Sequence, residues 1–104
     1  MSPFAANIDD GSVRLCLLPS MDLRAATPLK AALDDALGHT LPLVVDAGPV
    51  ERMSTACIQI LIAFVAAAGK AGLGVTFRQP SVAFIAAFES LGLAPVIAHW
   101  NVEH

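Results

Sequence analysis

Short apolar runs, each closed by proline or glycine, alternate along this chain between two periods, and that alternation limits the fold more than any other feature. Residues 13–18, Val-Arg-Leu-Cys-Leu-Leu, are short and partly alternating and read as a strand ending at Pro19, with an edge strand before it around residues 4–8. Leu29, Ala32, Leu33, Ala36 and Leu37 then recur at helical spacing, with Pro28 in the first turn and Gly38 just past the end. Residues 41–45 are apolar apart from Pro42 and stop at Asp46, the pattern of a central strand covered on both faces. After a loop through Gly48 and Pro49, Ser54 can cap a second helix running to about Gly69, roughly 24 Å long at 1.5 Å per residue. Residues 72–78 give another strand, with Val75 and Phe77 on one face. Pro80 and Ser81 open a third helix whose buried side carries Phe84, Ile85, Phe88 and Leu91, with Gly92 closing it. A last short strand is expected over residues 95–98.

Each helix crosses between strands, and right-handed crossovers put helices against a largely parallel sheet. The expected fold is α/β: a small mixed sheet of four to five strands with three main helices packed against it, in one domain spanning residues 1–104. Hydrophobic residues make up 56% and charged residues 14%, which excludes an intrinsically disordered chain and leaves the surface short of charge. Six Lys and Arg are scattered through the sequence against nine carboxylates, a net charge of -3, so no clustered basic footprint for nucleic acid exists. Cys16 and Cys57 form no CxxC pair and have no histidine at zinc-site spacing, so both are expected reduced and no metal or other cofactor is expected. The most apolar stretch, residues 56–69, carries Gln59 and stops at Lys70, too short for a membrane span of about 20 residues. The N-terminus lacks the basic start and apolar run of a signal peptide, which points to the cytoplasm.

Few residues could carry chemistry. Asp22 follows the second strand, Asp46 the third, and Ser54 with Thr55 opens the second helix, all at strand ends where open α/β sheets bind ligands. No glycine-rich phosphate loop, Gly-x-Ser-x-Gly elbow or His-Glu-x-x-His occurs, so an enzyme is not expected. His39, His99 and His104 lie far apart in element order and read as solvated, as do Asp34 and Asp35 on the polar side of the first helix; Trp100 reads as a packing residue that pins the tail. The second helix is apolar nearly all round. Ile58, Leu61, Ile62 and Val65 form one face and Cys57, Ile60, Phe64 and Ala68 its neighbour, leaving Gln59, Ala63, Ala66 and Lys70 outside. That pattern fits both a partner-binding face and a helix buried among its neighbours.

The element order, together with residues 44–61 (Val-Val-Asp-Ala-Gly-Pro-Val-Glu-Arg-Met-Ser-Thr-Ala-Cys-Ile-Gln-Ile-Leu), resembles the STAS domain of bacterial anti-anti-sigma factors over nearly the whole chain. Ser54, Thr55, Ala56 and Cys57 fall on that family's Asp-Ser-Ser-Gly-like tetrapeptide at a helix start, so Ser54 stands in place of Asp, and Ala56 and Cys57 in place of the second Ser and the Gly. Met21-Asp22 resembles the family's Leu-Asp after the second strand, and Gln79-Pro80-Ser81-Val82 with Leu91-Gly92-Leu93 resembles its closing helix. The resemblance implies a STAS-like fold and a non-enzymatic regulatory module. Such a module docks on a serine/threonine kinase of the histidine-kinase-like ATPase fold, or on an anti-sigma factor, and is released by phosphorylation. The carry-over singles out Thr55 for the phosphate, with Ser54 beside it. A helix N-terminus tolerates an added phosphate, which would repel a partner from an apolar patch. The partner surface expected on these grounds comprises Asp22, Asp46, Ser54, Thr55, Gln59, Ala63 and Ala66. The alternative is an accessory subunit of a membrane lipid transporter that binds the transporter's ATPase, with Thr55 an unphosphorylated contact; a plain helix cap at Ser54 and Thr55 explains the same residues without any switch.

Overall fold

The computed structural model describes residues 3, 4 and 6–104. Strands β1 (Ala6–Asp9) and β2 (Ser12–Cys16) form a hairpin, followed by the two-residue strand β3 (Ser20–Met21), a 3-10 turn (Leu23–Ala25) and helix α1 (Ala26–Leu37). Strand β4 (Leu43–Asp46), a second two-residue strand β5 (Arg52–Met53) and helix α2 (Thr55–Lys70) come next. Strand β6 (Val75–Arg78), helices α3 (Val82–Ser90) and α4 (Ala94–Ala98) and strand β7 (Asn101–Glu103) complete the chain. Residues 1, 2 and 5, which fall on the expected N-terminal reading and edge strand, lie outside the described residues.

The sheet has five strands in the order β1-β2-β4-β6-β7, with β1 antiparallel and the rest parallel. From β2 onward the order advances in one direction without reversing. Right-handed crossovers along such an order place every helix on the same face. Burial follows suit: Val13, Leu15, Leu43, Val45 and Phe77 are buried beneath the helices, while Arg14, Cys16, Val44, Asp46, Thr76 and Arg78, on alternate positions, are half-buried. The expectation that residues 41–45 are covered on both faces is therefore wrong for this fold, because no crossover returns to the second side.

The helices bury the sides their apolar spacing announces, with Leu29, Leu33 and Ala36 of α1 against Cys57, Ile58, Leu61, Phe64 and Ala68 of α2 in one core. Gly38 closes α1 in a right-handed conformation, and the left-handed residue of that turn is Thr40, at φ 52°. Leu91, expected on the buried side of α3, is 44% exposed, because α3 ends at Ser90 and the chain turns away through Gly92 at φ 73°. Residues 95–98 are not a strand. Pro95 lacks the N–H a ladder needs but suits a helix start, so this segment forms α4 and the last strand moves to β7, where Val102 registers with Phe77. Trp100 packs as expected, stacked on Phe77 with ring centroids 4.7 Å apart and edge-on to Phe88 at 5.3 Å.

Candidate functional site

Strands β3 and β5, which no periodicity announces, build the site. They pair in parallel, Met21 opposite Met53, as a separate two-stranded sheet. Around this pair Pro19 C=O accepts the N–H groups of Glu51 (2.8 Å) and Arg52 (3.1 Å), and Met21 C=O accepts that of Ser54 (2.7 Å). The segment after β2 is thereby fastened to the segment that enters α2. Asp22, the next residue, caps the 3-10 turn, its carboxylate accepting the N–H groups of Arg24 (3.0 Å) and Ala25 (3.3 Å). The Arg24 guanidinium at 3.2 Å, aided by those N–H groups, holds the Asp22 carboxyl below the ordinary carboxylate range.

Ser54 is the N-cap of α2: in extended conformation, its Oγ accepts Cys57 N–H at 3.2 Å. Cys57 is buried and its Sγ donates to Asp22 C=O at 3.4 Å. The side chain standing where the resembled tetrapeptide has glycine thus ties α2 to the 3-10 turn, and burial pushes its thiol pKa up. Thr55, at the first helical position, is exposed, and its hydroxyl has no hydrogen-bond partner among the described residues. Of two adjacent hydroxyls, one is committed to the helix end and the other is free.

The opening of α3 mirrors that of α2. Ser81 Oγ accepts Phe84 N–H (3.0 Å) and donates to Val50 C=O (2.6 Å), while its N–H reaches Ala47 C=O (3.2 Å), so this helix end is fixed to the loop before β5. Two large apolar side chains that the sequence reading left out stand exposed here: Leu23, 73% accessible in the 3-10 turn, and Val82, 86% accessible at the start of α3. Their signal was available. Each follows a capping residue, Asp22 or Ser81, at a first helical position that has nothing beneath it to bury against.

The remaining expected site residues divide. Gln59, Ala63 and Ala66 are all exposed and continue from Thr55 along the outer face of α2. Ala63 also lines a mostly apolar groove of about 200 Å³ between α1 and α2, with Leu33, Leu37, Ile60 and Phe64 beside it and the Lys30–Asp34 ion pair (2.8 Å) at the rim. Asp46 does not join the others. It lies on the uncovered sheet face, in register with Cys16 and Arg78, and its carboxylate accepts Gly48 N–H at 2.9 Å. A Cβ at Gly48 would come within 3.2 Å of that carboxylate, which would have to give by a few tenths of an ångström. Burial, and then the neighbouring Asp46 charge, raise the Cys16 pKa. Among the described residues no three His, Cys, Asp or Glu side chains come together as a metal site, and no helix is long and apolar enough to cross a membrane.

A one-directional strand order has no switch point at which a ligand crevice could open. What it offers at the strand ends is a surface, on which α2 begins with the free Thr55 hydroxyl. Residues 4–98 match the sequence model of the family described as "Mlab, STAS domain", and the chain belongs to the STAS domain family. The fold is similar to the crystal structure of the Thermotoga maritima protein TM1081, described there as a candidate anti-sigma factor antagonist: TM-score 0.81 at 12% identity, covering 97% of this chain and 86% of that one. It is also similar to the NMR structure of TM1081, with TM-score 0.76, 14% identity, and 98% and 79% of the two chains covered. No curated protein matches the sequence.

Proposed function

We propose that this chain is a regulatory docking module of the anti-anti-sigma kind, which performs no chemistry and binds a protein partner through the surface around the start of α2. The partner class is a serine/threonine kinase of the histidine-kinase-like ATPase fold or an anti-sigma factor, in the cytoplasm, and phosphorylation of Thr55 releases it. The observation that carries this reading is the free, exposed Thr55 hydroxyl at a helix N-terminus, on a segment hydrogen-bonded to those that carry exposed Leu23 and Val82. Backbone N–H groups and the helix dipole there tolerate a phosphate of about -1.5 to -2 charge, so the fold survives modification. An apolar partner face does not tolerate it, because the charge must shed water without a paired cation. The description of TM1081 as a candidate anti-sigma factor antagonist supports the same reading.

The test compares Thr55→Glu with Thr55→Ala in binding to a candidate partner by calorimetry. Glu should cost several kcal/mol, about a hundredfold or more in affinity, while Ala removes at most a hydroxyl contact of about 1 kcal/mol. Equal affinity for both variants, with both folded, rejects the switch. The replacement of the family's Asp, Ser and Gly by Ser54, Ala56 and Cys57 favours a second reading, in which the same surface stays docked on the ATPase of a membrane transporter and is never phosphorylated. Incubation with a partner kinase and ATP separates the two: phosphate on Thr55 supports the first, and an unmodified but bound protein the second.

A further inference from the structure

The last segment of the chain covers a buried aromatic cluster without being buried itself. Phe77 of β6 and Phe84 and Phe88 of α3 are at most 1% exposed, and their rings meet in series, with centroids 5.8 Å apart for Phe77–Phe84 and 5.1 Å for Phe84–Phe88. Trp100 closes the cluster through its stack on Phe77 and its edge contact with Phe88. Yet no residue from Glu89 to His104 is buried, and Leu93, Ile97, Trp100 and Val102 are half-buried where they pack on the core. Two grooves border Trp100: one of about 270 Å³ that reaches Val65 and Leu73, and one of about 460 Å³ that reaches Ile97 and Val102. The attachments of this segment are few. No side chain caps α4, Gly92 at φ 73° separates the segment from α3, and β7 pairs with β6 over three residues. The side-chain tethers, Asn101 Nδ2 to Thr76 Oγ1 at 2.9 Å and Arg78 to Glu103 at 3.9 Å, are exposed to water and hold weakly.

We propose that residues 93–104 form a cover that opens as one unit about Gly92, baring Phe77, Phe84 and Phe88 while the rest of the fold stays closed. Segments with few buried apolar contacts and exposed hydrogen bonds open below the free energy of global unfolding. The elements beneath do not depend on the cover for their main-chain bonds. Strand β6 keeps its ladder to β4, and Ser81 ties the start of α3 to Val50 C=O and Ala47 C=O. Helix α4 and β7 open together because Trp100, which lies between them, makes the ring contacts that hold the segment down. The open state presents an aromatic face that the closed state lacks, so an apolar ligand of that face shifts the population towards it. Asp22, Thr55 and the start of α2 lie outside the cover, which therefore stands independently of the docking function.

Native-state hydrogen exchange tests this with two neighbouring amides. Ala47 N–H donates to Arg78 C=O between the central strands, whereas Gln79 N–H donates to Glu103 C=O of the cover. Corrected for intrinsic rates, Gln79 should exchange about a hundredfold or more faster than Ala47. Ile97→Ala removes a contact of α4 and should speed Gln79 exchange about tenfold, although Ile97 is remote in sequence from the β6–β7 ladder. Fraying of β7 by itself predicts no such effect. Thr76→Cys with Asn101→Cys, in a Cys16→Ser background, places two thiols in register on adjacent strands about 4.8 Å apart, a spacing that suits a disulfide. Oxidation should slow Gln79 exchange about a hundredfold, towards that of Ala47, and reduction should restore it; if Ile97→Ala does not fold, this clamp decides. Gln79 exchange as slow as that of Ala47, or unchanged by Ile97→Ala in the folded state, or indifferent to the clamp, would each overturn the proposal.

Discussion

Substituting Ser54 and Thr55 one at a time tests whether the two hydroxyls have the separate roles their geometry gives them. Ser54 Oγ satisfies one of the otherwise unpaired N–H groups at the start of α2, with Cys57 N–H at 3.2 Å. Ser54→Ala should therefore cost about 1 kcal/mol, the usual value for a lost N-cap. At about 2.1 cal/mol/K per residue, a chain of 104 residues has an unfolding entropy near 0.2 kcal/mol/K, so 1 kcal/mol lowers Tm by about 4 to 5 °C. The Thr55 hydroxyl makes no hydrogen bond among the described residues, and alanine is the better helix former, so Thr55→Ala should leave Tm unchanged or raise it slightly. Thr55→Glu places a carboxylate in the first turn and should add about 0.3 to 1 kcal/mol at low ionic strength, a gain that fades as salt is raised. The expected order of melting temperatures is Glu at or above Ala at position 55, then the unsubstituted chain, then Ser54→Ala, read by calorimetry at low and high salt. If Thr55→Ala loses as much as Ser54→Ala, the Thr55 hydroxyl is structural, and the argument that it is available for modification collapses.

The outer face of α2 gives a second expectation: Ala63→Glu sits on an exposed position and should shift fold stability by less than about 0.5 kcal/mol while weakening partner binding by about 1 to 3 kcal/mol. Unfolding by this substitution would show that the face is buried. Asp22 predicts a pH dependence. Its folded pKa is depressed below 3.8, chiefly by the Arg24 side-chain hydrogen bond, so its contribution is present above the unfolded value and is lost as pH falls through the folded one. The Tm difference between the unsubstituted chain and Asp22→Asn should accordingly shrink below about pH 4; a difference constant with pH would show that the carboxylate's charge plays no part. Burial keeps Cys57 a thiol at neutral pH, so iodoacetamide should modify it only after denaturant is added, and rapid labelling of the folded chain would contradict its place beneath Asp22.

The main elements were legible because their periods are strong. The spacing of Leu29, Ala32, Leu33, Ala36 and Leu37 marks the inner side of α1, where Leu29, Leu33 and Ala36 are buried and Ala32 and Leu37 half-buried; of the two apolar faces read on α2, Cys57, Ile58, Leu61, Phe64 and Ala68 are buried while Ile60, Ile62 and Val65 are half-buried. The same spacing left Gln59, Ala63 and Ala66 outside, where they are. What failed were inferences from composition alone. Leu43, Val44 and Val45 read as covered on both faces because Val44 is apolar, yet it is half-buried on the open face: a single valine among Arg14, Thr76 and Asp46 does not identify a second layer. Val96 and Ile97 look strand-like, but Pro95 begins a helical turn. The β3–β5 pair was invisible for another reason. Two residues are too few to carry a period, and the pairing of Met21 with Met53 is a long-range contact that neither segment announces by itself.

That invisible pair decides how the site residues are related. Without it, Asp22 and Thr55 would be strand-end residues on separate connections, free to move independently. With it, Met21 C=O holds Ser54 N–H, Cys57 Sγ reaches Asp22 C=O, and Ser81 fixes the start of α3 to the loop before β5. Leu23, Thr55 and Val82 therefore stand on three segments fastened together by hydrogen bonds to main-chain carbonyls. A partner meeting them meets a preformed surface, and binding need not bear the entropy of ordering three loops. The same fastening separates two roles that sequence alone ran together. Asp22 and Ser54 spend their polar groups on capping, whereas the Thr55 hydroxyl holds nothing among the described residues, so a change there leaves the bonds of the fold intact. Substitutions at Asp22 and Ser54 should then lower stability and docking together, whereas Thr55→Glu should weaken docking without lowering stability.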